Sequence, residues 1–173
     1  TTPQAGENGL ACPQCKGPAV AYCHVHDFGV HEHWPTVFAL DPHPRKPHMM
    51  LWAQVDPADD LWVVAEESVE GDPVEVRERV ESLEAELRLS VARRLIDPNM
   101  GRSPSQSTRR EATWQDDFDE AGLTTDLADD SDVGRGRLNE FLKPDKQTQA
   151  PRIHFHSRCT KTIHQLLRYA WDD

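Results

Sequence analysis

No stretch of the sequence approaches the ~18–20 apolar residues of a membrane-spanning helix, and the N-terminus carries no apolar signal-peptide segment. A soluble, intracellular protein is therefore expected. Positive charge is scarce as well. Nineteen Lys and Arg face 30 Asp and Glu, for a net charge of -11. That balance argues against a nucleic-acid coat working by bulk positive charge. It leaves open an enzyme whose acids hold metal ions against phosphates. There is no Gly-rich Gly-Lys-Ser/Thr loop, so an ATPase of the phosphate-loop kind is excluded. Four cysteines in 173 residues are too few for a disulfide framework. Cys12 and Cys15 form a CxxC, Cys23 follows, and Cys159 stands alone near the far end. Such spacing points to metal or redox chemistry more often than to bridging. No internal repeat is present.

What is there fits one α/β domain. Hydrophobic residues make up 37% of the chain, with five Trp, which is enough for a real core at this length. Thr1 to Leu10 is small and polar and reads as a tail. Ala11 to His33 is rich in Cys, His, Gly and Pro and reads as a loop-built entry segment, so residues 1–33 are set apart from a domain over 34–173. Regular patterning begins at Trp34. Thr36 to Leu40 is a short apolar, β-prone run, His48 to Val55 a second, and Leu61 to Ala65 a third; the turn residues Asp56 to Asp60 join the last two as a hairpin. Asp72-Pro73 caps a helix whose Val74, Val76, Val80, Leu83 and Leu87 fall largely on one face. Val91 to Ile96 is a fourth strand. A short helix over Trp114 to Ala121 stops at Gly122, and Asp132 or the acids before it cap another running to Leu142. Pro151 to His156 alternates as a fifth strand, and a helix from Thr160 to Trp171 closes the chain.

Two of these strands end alike, in Leu40-Asp41-Pro42 and Ile96-Asp97-Pro98. A carboxylate just past a buried strand is fixed by the strand, while the proline turns the chain away. Asp-Pro is also an ordinary turn. If the two strands are neighbours, however, both carboxylates enter one site, and hard cations such as Mg²⁺ or Mn²⁺ prefer such oxygen ligands. Two ions about 3.5–4 Å apart would clamp the attacking and leaving oxygens of a phosphodiester. Three antiparallel strands, a helix and a fourth strand bearing the second acid is the layout of a ribonuclease H-like fold, a mixed five-stranded sheet flanked by helices.

At this point the sequence resembles a known family. Trp34 to Pro47 (WPTVFALDPHPRKP) resembles the first strand of the nuclease domain of phage terminase large subunits, and Ile96 to Gly101 (IDPNMG) its second metal-binding strand. Leu127 to Asp145 and Cys159 to Trp171 are similar to later parts of the same domain. The resemblance implies a metal-dependent endonuclease that cuts concatemeric DNA by two-metal hydrolysis, with Asp41 bridging the ions and Asp97 holding one. It implies double-stranded DNA, the terminase ATPase domain, the small subunit and the portal as partners, the infected host's cytoplasm as location, and no membrane. In the family a third acid sits further on, in an Asp-rich motif at a helix start. Trp171-Asp172-Asp173 resembles the segment before that motif. Either the chain is a fragment truncated at its C-terminus or a nearby acid substitutes. Glu66, after the third strand, is the internal candidate; its alternative is a solvated strand end beside Glu67.

Arg45 and Lys46 follow Asp41, and Arg102, Arg109 and Arg110 follow Asp97. They could hold DNA phosphates, which position a duplex without reading sequence, or simply keep the surface soluble. The acids from Asp116 to Asp132 would repel DNA and read best as a solvated face. Cys12 and Cys15 have the form of a zinc knuckle, with Cys23 and His26 as the chosen completion of a Cys₃His site; the alternative is a reduced entry segment. His154 and His156 share a strand face, as metal ligands or, more simply, as partly buried histidines. Cys159 reads as a buried thiol. Two other functions remain open beside the endonuclease: a non-catalytic docking module of a packaging machine, and another ribonuclease H-like enzyme such as a resolvase.

Overall fold

The computed structural model describes residues 24–105, 111–145, 147 and 150–168. In chain order the elements are β1 (Val25–His26), β2 (Thr36–Asp41), β3 (His48–Val55), β4 (Leu61–Val69), α1 (Pro73–Leu87), β5 (Val91–Ile96), α2 (Pro98–Gly101), α3 (Trp114–Glu120), β6 (Asp126–Leu127), α4 (Asp132–Leu142), β7 (Ile153–His156) and α5 (Thr160–Arg168). One seven-stranded mixed sheet runs β1-β7-β4-β3-β2-β5-β6. β2, β3 and β4 pair antiparallel; the pairs β2–β5, β5–β6, β4–β7 and β7–β1 are parallel. Among the described residues no helix is long and apolar enough to cross a membrane.

The expected five-stranded sheet thus carries two further strands, β1 and β6. Each is two residues long, too short for alternation to show in the sequence. β1 also draws the end of the entry segment into the sheet. Val25 pairs with Phe155, His24 is buried, and Phe28 and Val30 pack against the core.

Local chemistry explains the punctuation. Asp56 Oδ1 accepts the amides of Ala58 and Asp60 at 2.8 and 3.0 Å, and its Oδ2 accepts Trp62 Nε1 at 3.0 Å, which pins the β3–β4 turn. Asp72 accepts the amides of Val74 and Glu75, and the Glu75 carboxylate accepts the Asp72 amide in return, a complete capping box for α1. Gly122, at φ 91°, ends α3 in a conformation that favours glycine. α4 is led by Ser131 rather than by Asp132. β4 runs on past Ala65 to Val69, paired with β3 as far as His48, and its two acids are taken up by different helices. Glu67 pairs with Arg79 of α1, and Glu66 accepts amides of α5.

Alternation divides the core. On one face Phe38, Leu40, Met50, Trp52 and Ile96 pack against Val76 and Val80 of α1 and Trp114 and Phe118 of α3. On the other, Val63, Ile153 and Phe155 pack against Leu142 of α4 and Ile163 of α5, with Cys159 buried among them. Cys159 is the buried thiol expected of it, and burial pushes its pKa up to about 12.

Candidate metal centre at the strand ends

β2 and β5 lie side by side and parallel, with Ala39 opposite Leu95 and Leu40 opposite Ile96. Both strands therefore deliver their next residue, Asp41 and Asp97, to the same edge and the same face. The Asp97 amide donates to the Leu40 carbonyl at 2.8 Å, which continues the ladder to the acids themselves. The two strands are neighbours, as the sequence reading required.

Each acid is held differently. Asp97 is the N-cap of α2, and its Oδ2 accepts the Met100 amide at 2.7 Å. α2 is seated tightly on the strand end. A Cβ on Gly101 would lie 3.1 Å from both Ile96 Cγ2 and Leu127 Cδ2, so glycine permits the approach that fixes Asp97. Asp41 ends β2 opposite Met49 and is exposed. Partial burial at the sheet end, and then the Asp97 charge, push its carboxyl pKa up; His43 and His48 pull the other way. Two carboxylates that repel one another form a donor set that a hard cation would relieve.

Among the described residues no element covers this half of the sheet. Ala39, in a central strand, is exposed, and Val37 and Leu95 on the same face are half-buried. The cover given by α4 and α5 lies over β7, β4 and β3. The acid pair therefore borders an accessible strip.

His48 takes a part that nothing in the sequence singles out. Its buried ring accepts the His43 amide at Nδ1, 3.1 Å, and donates from Nε2 to the Gly71 carbonyl, 3.1 Å. Burial lowers its pKa, so the neutral ring latches the β2–β3 loop to the turn before α1. Only tertiary contact reveals this role, since histidine at a strand start has no signature. The same loop carries Arg45 and Lys46, both exposed, beside a cleft of about 250 Å³ lined also by His43, His48 and Trp114. Arg102, at the C-cap of α2, is exposed as well.

The remaining expected residues separate. Glu66 lies on the same face as Asp41 but is paired with Leu51, opposite Ala39, two strands across β3 and two residues short of Asp41 along the sheet, so roughly 12 Å off at the backbone. Its carboxylate accepts the amides of Lys161 (2.7 Å) and Thr162 (2.8 Å) and the Thr162 hydroxyl (2.7 Å). It caps α5 and does not join the acid pair. Cys12, Cys15, Cys23, Arg109, Arg110, Asp172 and Asp173 lie outside the described residues. His26 is described and faces His154, not Asp41. Among the described residues no group of three or more His, Cys, Asp and Glu is arranged to hold a metal ion, so the strand ends contribute a pair. Several acids expected to form a solvated face have local partners: Asp116 closes a capping box with Thr113, Asp119 accepts the Thr125 amide, and Asp126 pairs with Arg93.

No protein-family model matches the sequence, and no curated protein matches it. Solved structures do. The large terminase of a thermophilic bacteriophage matches with a TM-score of 0.62 at 14% identity, over 86% of this chain and 35% of that one. The large terminase nuclease domain of P22 matches with a TM-score of 0.58 at 11% identity, over 86% of this chain and 76% of that domain. A second crystal form of the thermophilic phage protein gives 0.61 at 15% identity, over 87% of this chain and 35% of that one. The chain thus spans about a third of the length of that terminase. At these identities the likeness establishes the fold, which is the fold of terminase nuclease domains.

Proposed function

We propose that this chain is a divalent-metal-dependent DNA endonuclease domain of the terminase type. The observation that carries the reading is the juxtaposition of Asp41 and Asp97, delivered by adjacent parallel strands to the rim of the open half of the sheet. The fold shared with terminase nuclease domains supports it.

The pair fits Mg²⁺ or Mn²⁺ in the chemistry of its donors. Both are carboxylates, they repel one another, and Asp97 keeps an oxygen beside the one committed to Met100. When bound, such ions activate water for attack on phosphorus and stabilise the departing 3′ oxygen. The chain's own part is positional. β2 and β5 fix the spacing of the acids, α2 fixes the Asp97 side chain, and His48 fixes the loop that leads away from Asp41. Arg45, Lys46 and Arg102, all exposed on segments that follow the two acids, meet duplex phosphates without reading bases. Glu66 would have to surrender its bonds to α5 to serve as a third ligand, so we assign it to the helix. Cutting of concatemeric DNA beside an ATPase motor, small subunit and portal, in the host cytoplasm, follows from the same reading. A docking module would share the fold and lack the cutting.

The test is nicking of supercoiled plasmid with and without Mn²⁺. The expected result is metal-dependent nicking that falls to background in Asp41→Ala and in Asp97→Ala. Equal cutting by those variants and the parent would overturn the site, and no cutting by the parent at any metal concentration would favour the docking module.

A further inference from the structure

At the far edge of the sheet from the acid pair, His26 of β1 and His154 of β7 converge. His26 Nε2 lies 3.2 Å from His154 Nδ1, with the rings nearly perpendicular at 86°. Two nitrogens bound to one tetrahedral Zn²⁺ at 2.0–2.1 Å stand about 3.3 Å apart. The spacing therefore matches either one shared proton or one shared ion.

Several features favour the ion. His154 is held flat against Trp62, centroids 4.0 Å apart at 18°, and His26 packs against Trp62 and Phe28, so both rings are fixed before any ligand arrives. The nearby carboxylates Asp27 and Asp56 set a negative field at His26 and His154 respectively. Both rings are half-buried, so an ion can reach them from solvent. Burial keeps His154 neutral down to a pKa of about 4, which leaves it free of a competing proton at neutral pH.

We infer that His26 and His154 form a two-imidazole chelate for a borderline first-row cation such as Zn²⁺, at the β1–β7 edge and separate from the Asp41–Asp97 centre. The ligand chemistry differs between the two places. Carboxylate oxygens suit Mg²⁺ and Mn²⁺, whereas paired imidazoles suit Zn²⁺, Ni²⁺ or Cu²⁺. The site needs no cysteine, and it reassigns His26 from a partner of Cys12, Cys15 and Cys23 to a partner of His154. By tying β1 to β7, a bound ion would fasten the entry segment to the sheet.

The experiment is a Zn²⁺ titration followed by the histidine-ring ¹⁵N resonances, in the parent chain and in the Cys12→Ser, Cys15→Ser, Cys23→Ser variant. The expected result is that the nitrogens of His26 and His154 shift together, saturating at one equivalent, in the cysteine-free variant as in the parent. No shift at these rings, or a shift confined to the cysteine-bearing chain, overturns the proposal. Calorimetry supplies a second reading: His26→Gln and His154→Gln, each checked for a folded circular dichroism spectrum, should weaken Zn²⁺ binding in the cysteine-free background by about tenfold or more. Unchanged affinity in both would equally overturn it. Plasmid nicking does not enter either measurement, so failure here and failure of the endonuclease reading are told apart.

Discussion

β2 shows two different environments on its two sides. On the side facing α1 and α3, Thr36, Phe38 and Leu40 are 0%, 0% and 2% exposed. On the side where α4 and α5 lie, the cover stops over β3, and Ala39 and Asp41 remain exposed. A central strand half open to solvent leaves apolar area unburied that folding could have used. The same half carries Asp41 and Asp97, and the strip beside them is exposed. The covered half shows what an acid looks like when it has only a structural part. Glu66 is engaged by three donors of α5, whereas Asp41 stands exposed beside a like charge.

The contrast can be probed with adjacent residues. Phe38→Ala should cost about 3–5 kcal/mol of unfolding free energy in urea titrations, since its ring is fully buried against Trp52. Ala39→Ser, one residue along, should stay within about 0.5 kcal/mol. A cost at Ala39 approaching that at Phe38 would mean that the open half is covered in solution.

Next in size is an effect of pH at the histidine edge. Burial holds the His154 pKa at about 4, below its ordinary 6.5. The stability contributed by the neutral ring is complete above pH 6.5 and is lost as pH falls toward 4. That loss is about 3 kcal/mol. His154→Phe, which keeps the stack on Trp62, should flatten this part of the stability profile measured by denaturation at several pH values.

The two kinds of carboxylate should respond with opposite signs. Glu66→Ala removes the bonds to Lys161 and Thr162 and should cost about 1–2 kcal/mol, with faster amide exchange in α5. Asp41→Asn, in divalent-free buffer at pH 7, should stabilise by less than about 1 kcal/mol, because solvent screens the repulsion it removes. Asp41 prefers its proton in the folded state, so its contribution is complete below 3.8 and is lost as pH rises through the raised folded value. The Asn variant should lack that decline. A destabilised Asp41→Asn would show that the acid has a structural partner after all.

Much of this was legible in the residues. The Asp56–Asp60 turn, the Asp72 cap, the Gly122 stop and the paired Leu-Asp-Pro and Ile-Asp-Pro endings have short-range causes, and each is found in place. The limits were equally physical. β1 and β6 are too short to show a period, and the fate of Glu66 depended on Thr162, 96 residues further along the chain. The same holds for His26, whose partner lies 128 residues away.

The sequence by itself determined which residues could be strands and helices, and that two of the strands end in acids, because propensity, capping and alternation act over a few residues. Only the tertiary structure decided that β2 and β5 are neighbours, that Asp41 meets Asp97 while Glu66 is claimed by α5, and that His26 meets His154. Those outcomes follow from sheet order and helix docking, which are set by contacts between distant parts of the chain that no local pattern encodes.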